Sequence, residues 1–264
     1  MEKRNYKPLG YKPRPPQASN LVIGMHPVLE LLRSDKEVEK VLINKNLMNL
    51  QEGGNIVDAC RLRNIPFQAV PIEKLNRVTP KLHQGVVAYV SPIFFQQLEH
   101  IVPALFEEGK MPFILVLDNI TDVRNFGAIA RTAESAGVHA IAIPLKGGAQ
   151  INEDAMKTSA GALNHIPVCR ENDLGKTLNW LNDNGLTIVA CTEKASETIF
   201  DTDMTGPIAL VMGSEEDGIS DYLLRKAHHL AMLPQLGQIA SLNVSVAAGI
   251  AMYEVVRQRT KEAV

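Results

Sequence analysis

The 264-residue sequence has only three cysteines, Cys60, Cys169 and Cys191, an odd number with no C-x-x-C spacing. This argues against a disulfide framework and against structural zinc, and for a reducing cytoplasm. Each cysteine has apolar neighbours and reads as a small buried hydrophobe. No apolar run approaches the length of a membrane span, and the opening MEKRNYKPLG lacks the apolar core of a signal peptide. A cytoplasmic location without a membrane partner is therefore expected. His26 and His83 have no partner carboxylate or cysteine at metal-ligand spacing, so they read as structural and no metal is expected. No G-x-G-x-x-G follows a first strand, which leaves a nicotinamide-type site unsupported. Gly175-Lys176-Thr177 imitates the end of a P-loop, but Arg170 stands where the first glycine belongs; Gly213 and Gly218 have P-loop spacing, but Ile219 and Ser220 replace the Lys and Ser/Thr pair. A G-x-S-x-G elbow, internal repeats and low-complexity blocks are also missing.

What is present is the composition of a soluble globular protein of one or two domains, 45% apolar and 21% charged. The formal net charge of -2 announces no nucleic-acid partner, but the charge is uneven. Lys3, Arg4, Lys7, Lys12 and Arg14 stand against the single acid Glu2, with Tyr6 and Tyr11 interleaved and four prolines opposing a helix. Residues 1–20 read as a basic flexible tail, suited to RNA or simply solvated. Residues 21–90 read as a small α/β unit with strands near 38–43, 67–70 and 85–90. Prolines 92, 103 and 112 mark 91–112 as a linker with one short helix. From Phe113 to residue 264, apolar strands alternate with helices. FILVLD, VHAIAI, LTIVAC, PIALVM and LAML are the strands; helices are expected at 126–136, 152–164, 173–183, 219–227 and 242–259. Such alternation implies a mostly parallel sheet covered on both faces.

Three stretches in this second part lie at strand ends, where open α/β sheets place ligands. DNITDVRNFGAIARTAESAG, from Asp118 to Gly137, holds N-x-G-x-x-x-R with Asn125 and Arg131. IALVMGSEEDGIS holds G-x-E-x-x-G, with Glu215 between Gly213 and Gly218, whose missing side chains allow close backbone approach. LPQLGQIASLNVS holds P-x-x-G-x-x-x-S-L-N-V-S, entering an apolar helix that Ser241 can cap. Each alone is an ordinary loop or helix start. Together, in this order, they are hard to produce by chance.

On these motifs residues 113–259 resemble the SpoU (TrmH) family of RNA ribose 2′-O-methyltransferases in the SPOUT superfamily. HPVLELLR and HQGVVAYV, within 21–90, resemble the ribosomal-protein-like substrate-binding domain that many members carry. The resemblance implies an α/β fold with a trefoil-knotted, mostly parallel sheet and helices on both faces, preceded by a small RNA-binding α/β domain. It implies methyl transfer from S-adenosylmethionine to a ribose 2′-hydroxyl. The two-domain layout is similar to that of enzymes acting on a guanosine in large-subunit (23S) ribosomal RNA, free or in a ribosome precursor. Carried over by position, the catalytic set is Asn125, Arg131, Glu215, Ser241 and Asn243, and the cofactor-binding set is Thr192, Gly213, Gly218, Leu233 and Leu242. Small residues in the last helix, together with the resemblance, point to a homodimer. Two alternatives stay open: the same chemistry on transfer RNA, and a non-catalytic RNA-binding or ribosome-assembly protein.

Overall fold

The computed structural model describes residues 20–238 and 241–262. Apart from Asn20, the basic segment at 1–20 lies outside the described residues. The chain first forms β1 (Leu21–Ile23), α1 (Met25–Arg33), β2 (Val38–Asn44), α2 (Gln51–Leu62), β3 (Phe67–Val70), α3 (Ile72–Val78) and β4 (Val86–Val90). The strands pair in the order β1-β4-β2-β3, with only β2 and β3 parallel. Side chains alternate across β2, so Val41 and Ile43 meet Val28, Leu31, Ile56 and Cys60 from α1 and α2, while Leu42 meets Leu75 of α3. α3 escapes the sequence pattern because Leu75 is its one buried residue. His83 is structural: its Nδ1 accepts the Gly85 N–H at 2.9 Å and its Nε2 faces Asn76 Oδ1 at 2.8 Å.

The rest of the chain forms β5 (Phe95–Gln96), α4 (Leu98–Glu107), β6 (Phe113–Leu117), α5 (Val123–Ser135), β7 (Ala140–Pro144), α6 (Glu153–Thr158), β8 (Val168–Glu171), α7 (Leu174–Asp183), β9 (Thr187–Cys191), β10 (Glu197–Thr198), β11 (Ile208–Met212), α8 (Asp221–Leu224), β12 (His229–Met232) and α9 (Val244–Glu262). These eight strands make one sheet, ordered β10-β12-β9-β11-β6-β7-β8-β5, every neighbouring pair parallel. Alternation again decides the layers. Phe113, Leu115 and Leu117 face α5 and α9, whereas Ile114 and Val116 face α4 and α7. Both faces are dry, which is why the strands are apolar throughout.

The stretch 91–112, expected as a linker, contains β5 and α4, and both belong to the large sheet's layers. The helix expected over 152–164 breaks where Ala160 (φ 49°) and Gly161 (φ 94°) turn left-handed, leaving α6 and a 3₁₀ turn at Ala162–Asn164. The helix expected at 219–227 shortens to α8, and β8 and β10 are additions.

Two polar anchors hold this architecture. Arg259 of α9 donates to the carbonyls of Met111 (3.3 Å), Pro112 (3.2 Å) and Gly206 (2.7 Å), tying the last helix to the start of β6. Between the two sheets, Arg170 of β8 pairs with Glu39 of β2, stacks 3.6 Å from the Phe95 ring centre and donates to the Val38 carbonyl. Glu39 also accepts the Ile151 N–H at 3.2 Å. Burial pushes the Glu39 carboxyl up from its ordinary value, and Arg170 opposes that shift.

Candidate active site

The carboxyl ends of β6, β9, β11 and β12 open on one edge of the large sheet, and the loops leaving β9, β11 and β12 enclose a cavity of about 520 Å³. Thr192 leaves β9, Gly213 to Gly218 leave β11, Leu233 leaves β12, and Ser241 and Leu242 close the wall before α9. All five residues expected to bind a cofactor therefore line one cavity. Gly213 has no room for a side chain: an added Cβ would lie 2.1 Å from the Gly218 carbonyl carbon. Gly218 itself sits at φ 64° and donates its N–H to Ser214 O at 3.0 Å, which closes the tight loop. Thr192 is buried, and its hydroxyl accepts the Lys194 N–H at 3.3 Å. The cavity rim carries Glu193, Glu216 and Asp217; Lys194, also on the rim, pairs with Asp221 at 3.1 Å.

A second hollow of about 220 Å³ adjoins the first across Ser214–Asp217 and Val244, and Asn125 lies in its wall. Asn125 stands in the first turn of α5 rather than in the preceding loop. Asp122 caps that helix by accepting the N–H groups of Arg124 (2.8 Å) and Asn125 (2.7 Å). Asn243 Nδ2 donates to Asn125 Oδ1 at 3.1 Å and to Glu215 Oε1 at 2.5 Å, and the Val244 N–H donates to the same Glu215 oxygen at 2.8 Å. Asn125, Glu215 and Asn243, far apart in sequence, thus form one hydrogen-bonded cluster. Asn243 also caps α9, its Oδ1 accepting the Ser245 N–H at 3.0 Å. That is the role expected of Ser241, which is instead an exposed part of the cavity wall.

Arg131 is the residue the fold does not bring to this cluster. It follows Asn125 by six positions on α5, about 9 Å along the helix axis. Its side chain is exposed, and among the described residues nothing pairs with it. Sequence reasoning missed Asp118, a buried carboxylate at the end of β6 that accepts the Ser220 N–H at 2.8 Å and locks the β11 loop to β6. An acid closing an apolar strand run was the available signal. Gly127, the glycine of the first motif, has no room for a side chain: an added Cβ would stand 2.8 Å from Ala155 O where α5 crosses α6. Among the described residues no cluster of three or more His, Cys, Asp or Glu is placed to hold a metal, and no helix is long and apolar enough to cross a membrane.

Comparison with known proteins places this geometry. Residues 21–96 match the family described as RNA 2′-O ribose methyltransferase substrate binding. The 23S rRNA (guanosine-2′-O-)-methyltransferase RlmB of Photorhabdus laumondii is 40% identical over 246 residues, covering 92% of this chain and 99% of that protein. The protein of the same name from Yersinia pestis is 36% identical over 245 residues, 91% and 98% of the two chains. The structure of AviRb from Streptomyces viridochromogenes in complex with the cofactor AdoMet superposes with a TM-score of 0.58 at 24% identity, over 91% of this chain and 90% of that one. The A. aeolicus TrmH/SpoU tRNA modifying enzyme superposes with a TM-score of 0.53 at 29% identity, covering 63% of this chain and 86% of that one. Residues 112–253 match the SpoU rRNA Methylase family, and the chain belongs to that family.

Proposed function

We propose that this protein transfers a methyl group from S-adenosylmethionine to a ribose 2′-hydroxyl of a guanosine in 23S ribosomal RNA. The observation that carries the reading is the Asn125–Glu215–Asn243 cluster, whose Glu215 lines the 520 Å³ cavity. The cavity's donor set fits the cofactor: an apolar wall from Leu233 and Leu242, bare backbone at Gly213 and Gly218, and carboxylates on the rim for a molecule carrying cationic groups. Bound there, the cofactor supplies an electrophilic methyl on a sulfonium with its own leaving group.

The protein's task is then to place the 2′-oxygen in line with that methyl and to ease loss of its proton. Asn125 and Asn243 orient the ribose and the loop through their amides. Glu215 has one oxygen committed to Asn243 and Val244, so its role here is to hold the Asn125 and Asn243 amides in register. Arg131, exposed and without a partner among the described residues, binds the RNA phosphate beside the target and polarises the hydroxyl. Its guanidinium stays charged, so the proton passes to phosphate or water. Ser241 completes the wall on the cofactor side.

The reading includes a homodimer and the family's trefoil knot. Val246, Ile250 and Tyr253 form an exposed apolar stripe at i, i+4, i+7 on α9, which supports a second copy as its cover; sedimentation as a monomer at micromolar concentration would count against the dimer. The packing of α9 against α5 supports the knot. The substrate-binding match over 21–96 supports ribosomal over transfer RNA, since the similar tRNA enzyme covers 63% of this chain. The test is a map of 2′-O-methylated riboses in total RNA from cells with and without the gene. One lost guanosine in 23S RNA is expected; a lost transfer-RNA site moves the substrate, and an unchanged map overturns the enzyme reading.

A further inference from the structure

Away from the active site, a cleft of about 330 Å³ separates the two sheets. On one side lie Lys40 and the start of β3 with Phe67; on the other, the loop leaving β7, with Lys146, Gly147 and Gly148; Glu39 and Arg170 also line it. Three observations make this a prepared site. First, topology puts the β7 loop on the same sheet edge as the catalytic loops, because β7 is the parallel neighbour of β6. That loop runs into α6, which packs against α5 at Gly127, two residues beyond Asn125. The β7 loop that lines the cleft and the active-site loops therefore leave the same edge of the sheet. Second, its charge is unbalanced. Among its lining residues Lys40, Lys146 and Arg170 stand against Glu39, which Arg170 engages and which also attracts Lys40. Lys40 lies 4.8 Å from the Tyr89 ring centre, and Lys146 is exposed. Third, the Glu39–Arg170 pair fixes the two walls relative to each other, so the gap is preformed and of nucleotide dimensions.

We propose that this cleft is a second RNA subsite, which takes an unpaired nucleotide flanking the target, its phosphate between Lys40 and Lys146 and its base against Phe67. This extends the methyltransferase reading by naming where the substrate is held outside the reacting centre. Lysines neutralise phosphate without reading sequence, and an aromatic face accepts any base, so the subsite contributes affinity and register.

The test uses the full-length protein and a short fluorescein-labelled single-stranded RNA, followed by anisotropy across a salt series. In the Lys40→Gln/Lys146→Gln double variant, affinity should fall about tenfold. The slope of log K against log salt should flatten by about 0.7 for each lost phosphate contact. Phe67→Leu should weaken binding without changing that slope, and circular dichroism checks that each variant is folded. With a large-subunit RNA transcript, the double variant should raise KM for RNA while kcat and cofactor affinity stay within about twofold. Unchanged affinity, slope and KM in the double variant overturn the subsite. Absence of methyl transfer by the unaltered protein would instead overturn the function, leaving the binding data to judge the cleft.

Discussion

One oxygen of Glu215 receives both the Asn243 amide and the Val244 N–H, and the Asn243 amide also reaches Asn125. At the scale of single residues, the three motif stretches are thus locked by side chains that must each keep its neighbour in place. Glu215→Ala removes the shared acceptor and should weaken cofactor binding about tenfold by titration calorimetry; affinity equal to the unaltered protein would point to a base role instead. Arg131 is outside this lock, so Arg131→Ala should lower methyl transfer by at least about a hundredfold with cofactor affinity within about twofold. Near-normal turnover would sink its assignment. Asn125→Ala should impair the same step, with a smaller effect on folding. Gly213→Ala places a methyl where the Gly218 backbone already lies, so cofactor binding should be lost and the melting temperature should fall. A variant that binds normally would show that the loop is softer than its packing indicates.

At the scale of elements, β6 starts beside a pH-sensitive support. His139 Nδ1 accepts the Phe113 N–H at 3.0 Å, which requires an unprotonated nitrogen. Burial, then Arg259 and Lys110, hold the imidazole below its ordinary value of 6.5. The unfolded chain takes up that proton more readily, so this contribution to stability is full above about pH 6.5 and is lost as pH falls through the depressed value. Melting temperatures should drop between about pH 7.5 and about pH 5, and less so in His139→Asn. The half-buried carboxyl of Glu171, raised by burial, acts in the opposite sense, favouring the fold as it protonates. Equal pH profiles for the two proteins would remove His139 from the account.

Elements of this kind differ in how well the sequence announces them. β6 and β11 are uniformly apolar because both faces are covered, and a continuous run is hard to misread. The edge strands β5 and β10 have two residues each and carry no period, and α3 buries one side chain, so neither kind leaves a pattern. The break after α6 rests on a left-handed Ala160, a residue type that gives no warning of it. The candidate site was legible through its three motif stretches, because glycines and amides in loops have few other reasons to recur at such spacing. Asp118, Asp122 and the capping role of Asn243 were not, since they act through backbone groups whose positions only the folded chain defines.

At the scale of the whole molecule, two sheets with separate cores meet across Glu39 and Arg170, whose side chains are 7% and 10% exposed. Glu39→Gln leaves a buried guanidinium without its counter-charge, a change that costs about 3–5 kcal/mol in comparable settings. Calorimetry should show a lower melting temperature, with the N-terminal unit unfolding ahead of the parallel sheet. A single unshifted transition would mean that the pair contributes nothing to docking.

The bonds between Glu215 and the Asn243–Val244 pair also set a timetable. Every strand of the parallel sheet is complete by Met232, so during translation residues 241–244 join Asn125 and Glu215 only after all eight strands have been made. At that stage the sheet still lacks α9, which covers one of its faces, so the core and the site are completed by the same segment.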